Sequence, residues 1–129
     1  AGRVVSHEVA PAQPETFVRA LAELLPTGAV QREDAAAWVA FGAAASTRPW
    51  LADPYWEALQ VMRTWVEGVL ADARKAGRMR ADLSPAEGAR LVTAVVNGLT
   101  LDLLNAPPTE SDEVIGQLRS GLGLILRGL

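Results

Sequence analysis

The residues of this chain that can do chemistry are suited to binding rather than to bond-making. Trp38, Phe41, Tyr55, Met62 and Trp65 can line an apolar pocket with a few polar anchors, the usual make-up of a small-molecule site. The same side chains can equally fill a core. Thr93, Asn97 and Thr100 lie at i, i+4 and i+7, which puts an uncharged polar strip on one helix face. Asparagine is a weak helix former, and a buried amide needs partners. A ligand, a buried water or a neighbouring helix can supply them. Four tryptophans against one tyrosine and two phenylalanines favour a flat hydrophobic or aromatic ligand.

Catalytic sets do not assemble. His7 is the only histidine and there is no cysteine, so a transition-metal site, a disulfide and a Cys-His nucleophile are not expected. No Ser-His-Asp grouping is visible. Gly121-Leu122-Gly123 imitates the start of a dinucleotide fingerprint, but Leu126 stands where the third glycine belongs and no strand precedes it. No enzyme and no cofactor is therefore expected. A net charge of −3 and a pI near 5.1 argue against this segment gripping a phosphate backbone. No membrane span or signal peptide is read, and the absence of cysteine fits a reducing cytoplasm.

The elements that must position these residues are helices, because the chain is rich in Ala and Leu and poor in β-branched runs. The expected fold is all-α: a helical bundle of about five helices plus an N-terminal helix remnant. Residues 1–13 read as the remnant and its connector, with 4–9 as the tail of a helix broken by Pro11 and Pro14. Residues 14–129 read as one domain. Its helices are predicted over 15–25, 32–46, 54–76, 84–105 and 111–129, and Pro49 and Pro54 bracket a connector that holds Trp50. In the 54–76 helix, Gln60, Arg63, Glu67 and Arg74 read as a solvated face, and Gly77 ends the helix. Arg78 and Arg80 read as a solvated basic turn. Ser84-Pro85-Ala86-Glu87 is a capping box with proline at the first helical position. Pro107 and Pro108 end the fifth helix, and Glu110, Asp112 and Glu113 suit the N-terminus of the last.

That fifth helix is apolar around most of its circumference. Leu91, Val92, Val95, Val96, Leu99 and Leu103 cover a wide arc, beside the Thr93-Asn97-Thr100 strip and a small-residue strip of Ala94, Gly98 and Leu101. The last helix carries Ile115, Leu118, Leu122, Ile125 and Leu129 in heptad-like spacing, with Gly116, Ser120 and Gly123 on its other side. Glycine inside a helix costs about 1 kcal/mol against alanine, so several together point to close approach of another helix. Surface this apolar marks an interface.

Several motifs in order carry a resemblance. Trp38-Val39-Ala40-Phe41 lies in an Ala-rich helix, followed by the long helix ending Ala73-Arg74-Lys75-Ala76-Gly77. Then come Arg78-Met79-Arg80-Ala81-Asp82-Leu83-Ser84-Pro85 and Val96-Asn97-Gly98-Leu99, with a closing amphipathic helix. Over residues 14–129 the pattern resembles the C-terminal regulatory domain of TetR-family transcriptional repressors, the BetI-type branch in particular. It departs at Asn97, where the commoner residue is aspartate. The resemblance implies a homodimer paired through the last two helices, with Leu91, Ala94, Gly98, Leu101, Ile115, Leu118, Leu122 and Ile125 in the interface. It implies an inducer pocket for a small hydrophobic or aromatic effector, lined by the aromatic and polar residues above. DNA would be met only through an N-terminal helix-turn-helix domain that is missing here; the start at Ala1 rather than Met leads us to expect that something upstream was removed, processed or left out. The competing expectation is a helical dimerisation module with no functional pocket.

Overall fold

The computed structural model describes residues 14–107 and 111–129. The expected 4–9 helix tail, His7, Pro108 and Glu110 lie outside them. The described residues form five α-helices: α1 (Pro14–Ala22), α2 (Ala29–Ala45), α3 (Pro49–Lys75), α4 (Pro85–Asn105) and α5 (Ser111–Gly123). The fold is all-α, as the composition predicts.

Each helix is set by local chemistry before it is set by packing. α1 has Glu15 in its first turn and Arg19 in its last, both suited to the helix dipole, and it buries Phe17, Val18 and Leu21. α2 starts at Gly28 without a side-chain cap and buries only Ala35 and Ala45, so it lies over the rest as a thin, alanine-rich cover. Ser84 caps α4 as its sequence predicts. Its Oγ accepts from the Glu87 amide at 3.1 Å, and its own amide donates to Glu87 Oε1 at 3.1 Å. Gly77 closes the turn after α3 at φ +71°, a conformation that favours glycine.

The structure corrects the sequence reading in three places. The Pro49–Pro54 connector is the opening of α3: Pro49 sits at the helix start, where its missing N–H is harmless, and Pro54 is accommodated inside the helix. Its missing N–H removes one bond, to the carbonyl of Trp50, a residue that is itself exposed. The last helix stops at Gly123 rather than running to Leu129. Beyond it the chain pairs with the turn after α3: the Arg80 amide donates to the Ile125 carbonyl at 2.9 Å and the Arg127 amide to that of Arg78 at 2.7 Å. These bonds frame the isolated antiparallel bridge Met79–Leu126. A helix through 126 could not make them. The backbone of the Arg78–Arg80 turn is thus a pairing segment, while the Arg80 side chain stays exposed as read from the sequence. Third, Arg63 leaves the solvated face to reach Thr93 on α4; Gln60, Glu67 and Arg74 stay exposed as read, and Arg74 Nη1 and Nη2 donate to the carbonyls of Leu83 and Ala81 at 2.7 and 3.3 Å.

The core is one cluster between α1, α3, α4 and α5, centred on Phe17, Leu21, Leu70, Val92, Leu118 and Leu122. Gly88 permits the tightest approach in it. A Cβ there would lie 2.8 Å from Leu70 Cδ1 and 3.1 Å from Met79 Cε. Outside the core, an ion pair between Arg119 and Glu15 joins α5 to α1, and Arg32 Nη2 donates to the Leu104 carbonyl at 2.7 Å, joining α2 to the last turn of α4.

Candidate ligand-binding cavity

The space between α2, α3 and α4 is a cavity of about 590 Å³, closed at one side by Glu23 and Leu24 after α1. α2 supplies Trp38 and Phe41, α3 supplies Met62 and Trp65, and α4 supplies Asn97 and Thr100. Six of the eight predicted ligand residues therefore meet at one wall system. The aromatic side is built by mutual packing. The Trp38 and Tyr55 rings stack with centroids 4.7 Å apart and 25° between planes. Phe41 meets both edge-on, at 6.0 Å from Trp38 and 5.3 Å from Tyr55. Both are favoured aromatic geometries. Tyr55 does not line the cavity; it backs Trp38. Gly42 makes room for it, since a Cβ there would come within 3.0 Å of the Tyr55 ring. Trp65 is braced by Phe17 of the core at 5.7 Å.

The polar strip divides into three fates. Asn97 is half-buried at the cavity wall, and its Oδ1 accepts from Trp38 Nε1 at 3.1 Å. Thr100 also lines the wall, and its hydroxyl donates to the Val96 carbonyl at 2.7 Å. Thr93 is fully buried away from the cavity. Its Oγ1 lies 3.0 Å from the Ala89 carbonyl and 3.1 Å from that of Arg90, and it accepts from Arg63 Nε at 3.3 Å. Arg63 also lies over the Trp56 ring, 5.2 Å from its centroid.

Sequence reasoning missed the part of the lining that lies upstream in α2. Gln31 and Asp34 precede Trp38 by seven and four residues, so they share its face, and the same 3–4 spacing that linked Trp38 to Phe41 could have found them. Glu23 and Asp34 put two carboxylates on the lining, and no basic side chain is among the described residues that form it. A second, shallower groove runs beside Trp56 and Val61, but every residue around it belongs to α3, so it offers one wall only.

The predicted interface residues also separate. On α4, Leu91, Ala94, Gly98 and Leu101 form an exposed stripe, with Leu91 and Leu101 about half exposed. Leu118 and Leu122 on α5 and Ile125 just beyond it are interior, and Ile115 packs against the core, so those side chains face their own chain. The exposed side of α5 carries Gly116, Ser120 and Gly123 beside the polar Asp112, Glu113, Gln117 and Arg119. A Cβ added at Gly98, Gly116 or Gly123 would meet nothing within 4 Å.

The fold defines the class: an all-α domain around one helical core, with no metal-ligating cluster among the described residues. Within that class the chain belongs to the BetI-type transcriptional repressor C-terminal family, whose profile it matches over residues 14–127. It is thus a TetR-family regulatory domain of an all-α kind. No curated protein and no solved structure matches it significantly. No helix among the described residues is long and apolar enough to cross a membrane.

Proposed function

We propose that this domain binds a small, flat, apolar effector in the α2–α3–α4 cavity and pairs with a second copy of itself. Occupancy then releases the parent regulator from DNA, which an N-terminal domain outside this chain would contact. The observation that carries the sensing role is the cavity itself: three aromatic rings and Met62 around a half-buried amide, in a volume suited to a drug-sized molecule. Family membership supports a regulatory rather than a catalytic role.

Pairing is supported by the α4 stripe and the open glycines of α4 and α5. Their exposed, side-chain-free backbone allows helices of two copies to come close, and a two-fold pair is the commonest closed assembly. The seam we propose runs along Leu91, Ala94, Gly98 and Leu101 of α4 and Gly116, Ser120 and Gly123 of α5. The experiment for sensing is a broad screen of apolar small molecules by tryptophan fluorescence and thermal shift. Saturable quenching that weakens in Trp38→Ala supports the role; no response across the screen leaves a dimerisation module. For pairing, sedimentation at micromolar concentration should show a dimer, and a monomer there would count against the seam.

A further inference from the structure

Trp38 and Asn97 do more than line the cavity; together they fix which polar group it can accept. An indole N–H only donates, so the Asn97 atom 3.1 Å from it must be the carbonyl oxygen. The side-chain amide is thereby held in one of its two orientations. That leaves Nδ2 as a donor for which the described residues provide no acceptor. It is not a sealed orphan, because no buried side-chain nitrogen or oxygen among the described residues lacks a partner. The group opens on accessible space, and the space that Asn97 faces is the cavity.

The remaining polar lining does not duplicate this donor. The Thr100 hydroxyl gives its one proton to the Val96 carbonyl and can only accept. Glu23 and Asp34 are acceptors when ionised, and no basic group on the lining offsets their charge. Gln31 carries an amide, but no described hydrogen bond fixes which way it turns. The wall of α4 therefore presents one oriented donor in an apolar, acid-flanked space. A hydrocarbon laid over that donor strips its water and returns nothing, which is the larger part of hydrogen-bond selectivity. A carboxylate would satisfy the donor but enters a lining whose only charged side chains among the described residues, the exposed Glu23 and Asp34, are both acidic. Rejection through such unfavourable pairings is as effective as attraction in setting specificity.

We propose that the Trp38–Asn97 pair makes the cavity selective for flat apolar molecules that carry a neutral hydrogen-bond acceptor, such as a ketone or amide carbonyl. Hydrocarbons and carboxylates of the same shape are selected against. This rests on the sensing role proposed above.

Equilibrium dialysis of the full chain against three probes tests it: 2-acetylnaphthalene, its alkene isostere 2-isopropenylnaphthalene, and 2-naphthoate. The ketone should bind about tenfold more tightly than the alkene, and the carboxylate should bind more weakly than the ketone. Asn97→Asp keeps an oxygen for Trp38 and replaces the free donor with an acceptor, so the ketone-to-alkene preference should vanish or invert. The wild-type ranking stands by itself if that variant fails to fold. Saturable binding of ketone and alkene with equal affinity overturns the selectivity and leaves the sensing role in place. If none of the three binds while the broad screen finds another ligand, the selectivity is again overturned alone. Silence in both experiments removes the two together.

Discussion

Gly98 gives the sharpest test of where a second subunit would sit, because the same substitution acts with opposite sign on one chain and on a pair. In the single chain a Cβ at Gly98 meets nothing within 4 Å. Gly98→Ala should therefore stabilise an isolated subunit by up to about 1 kcal/mol through helix propensity. Gly98→Leu should also leave the isolated subunit folded, since the added side chain points into open space. Across a two-fold seam each residue occurs twice. If α4 helices approach there at small-residue distance, each added leucine overpacks the contact by about 1–3 kcal/mol, or about 2–6 kcal/mol for the pair. That weakens dimerisation by roughly 30-fold to roughly four orders of magnitude. Sedimentation over a concentration series reads the dimer, and thermal melts at low concentration read the subunit. Gly68, on α3 with nothing within 4 Å of its added Cβ, is the control. Gly68→Ala should raise stability without moving the dimer constant. A Gly98→Leu protein that dimerises like wild type refutes the reasoning, because the α4 stripe would then not be the seam.

Other outcomes follow from single contacts. Gly88→Ala should destabilise the chain by up to about 2 kcal/mol in urea melts, since overpacking against fully buried Leu70 outweighs the propensity gain; a more stable variant would show that Leu70 yields freely. The Glu87 carboxyl is held below the ordinary glutamate range, first by the Ser84 amide that donates to it and then by the Ser84 side chain. Its depressed value means its contribution is complete above that range and is lost as pH falls through the folded value. Glu87→Ala should therefore flatten part of the acid limb of the melting-temperature profile, and an unchanged limb would count against the capping box as its source. Arg119→Ala should change stability by less than about 1 kcal/mol, as both partners of the Glu15 pair are about half exposed; a larger loss in the same melts would mean that the pair orders α1 against α5.

Much of this was legible because local signals and packing agreed. Ser84 and Glu87 announce a helix start by chemistry that needs only three residues, and Gly77 announces an end by conformation alone. Periodicity puts Trp38 with Phe41, and Asn97 with Thr100, on shared helix faces. Joining those faces across helices rested on residue type, which also named Tyr55 and Thr93, neither of which lines the cavity. What escaped notice depended on tertiary contacts. Pro54 looks like a breaker unless its neighbour Trp50 is known to be exposed. Ile125 continues a heptad on paper, yet its carbonyl is taken by the Arg80 amide and the helix has already ended. Arg63 carries a charge that suggests solvent, while its guanidinium reaches a hydroxyl buried on another helix. Leu118 and Leu122 were apolar enough for an interface or a core, and periodicity does not separate the two.

Asn97 and Gly98 are adjacent in sequence, and α4 turns one toward the cavity and the other toward solvent. A helix is only about 10 Å across with its side chains. If effector and second subunit occupy those two sides, input and output are separated by the thickness of a single rod. A roll of α4 by a few degrees to admit a ligand would itself be the displacement felt by the partner, with no relay of intervening side chains to mutate. Loss-of-response variants would then cluster on α4 and the turns that hold its ends, Ser84–Glu87 and the Arg32–Leu104 tie, and would be sparse elsewhere in the domain.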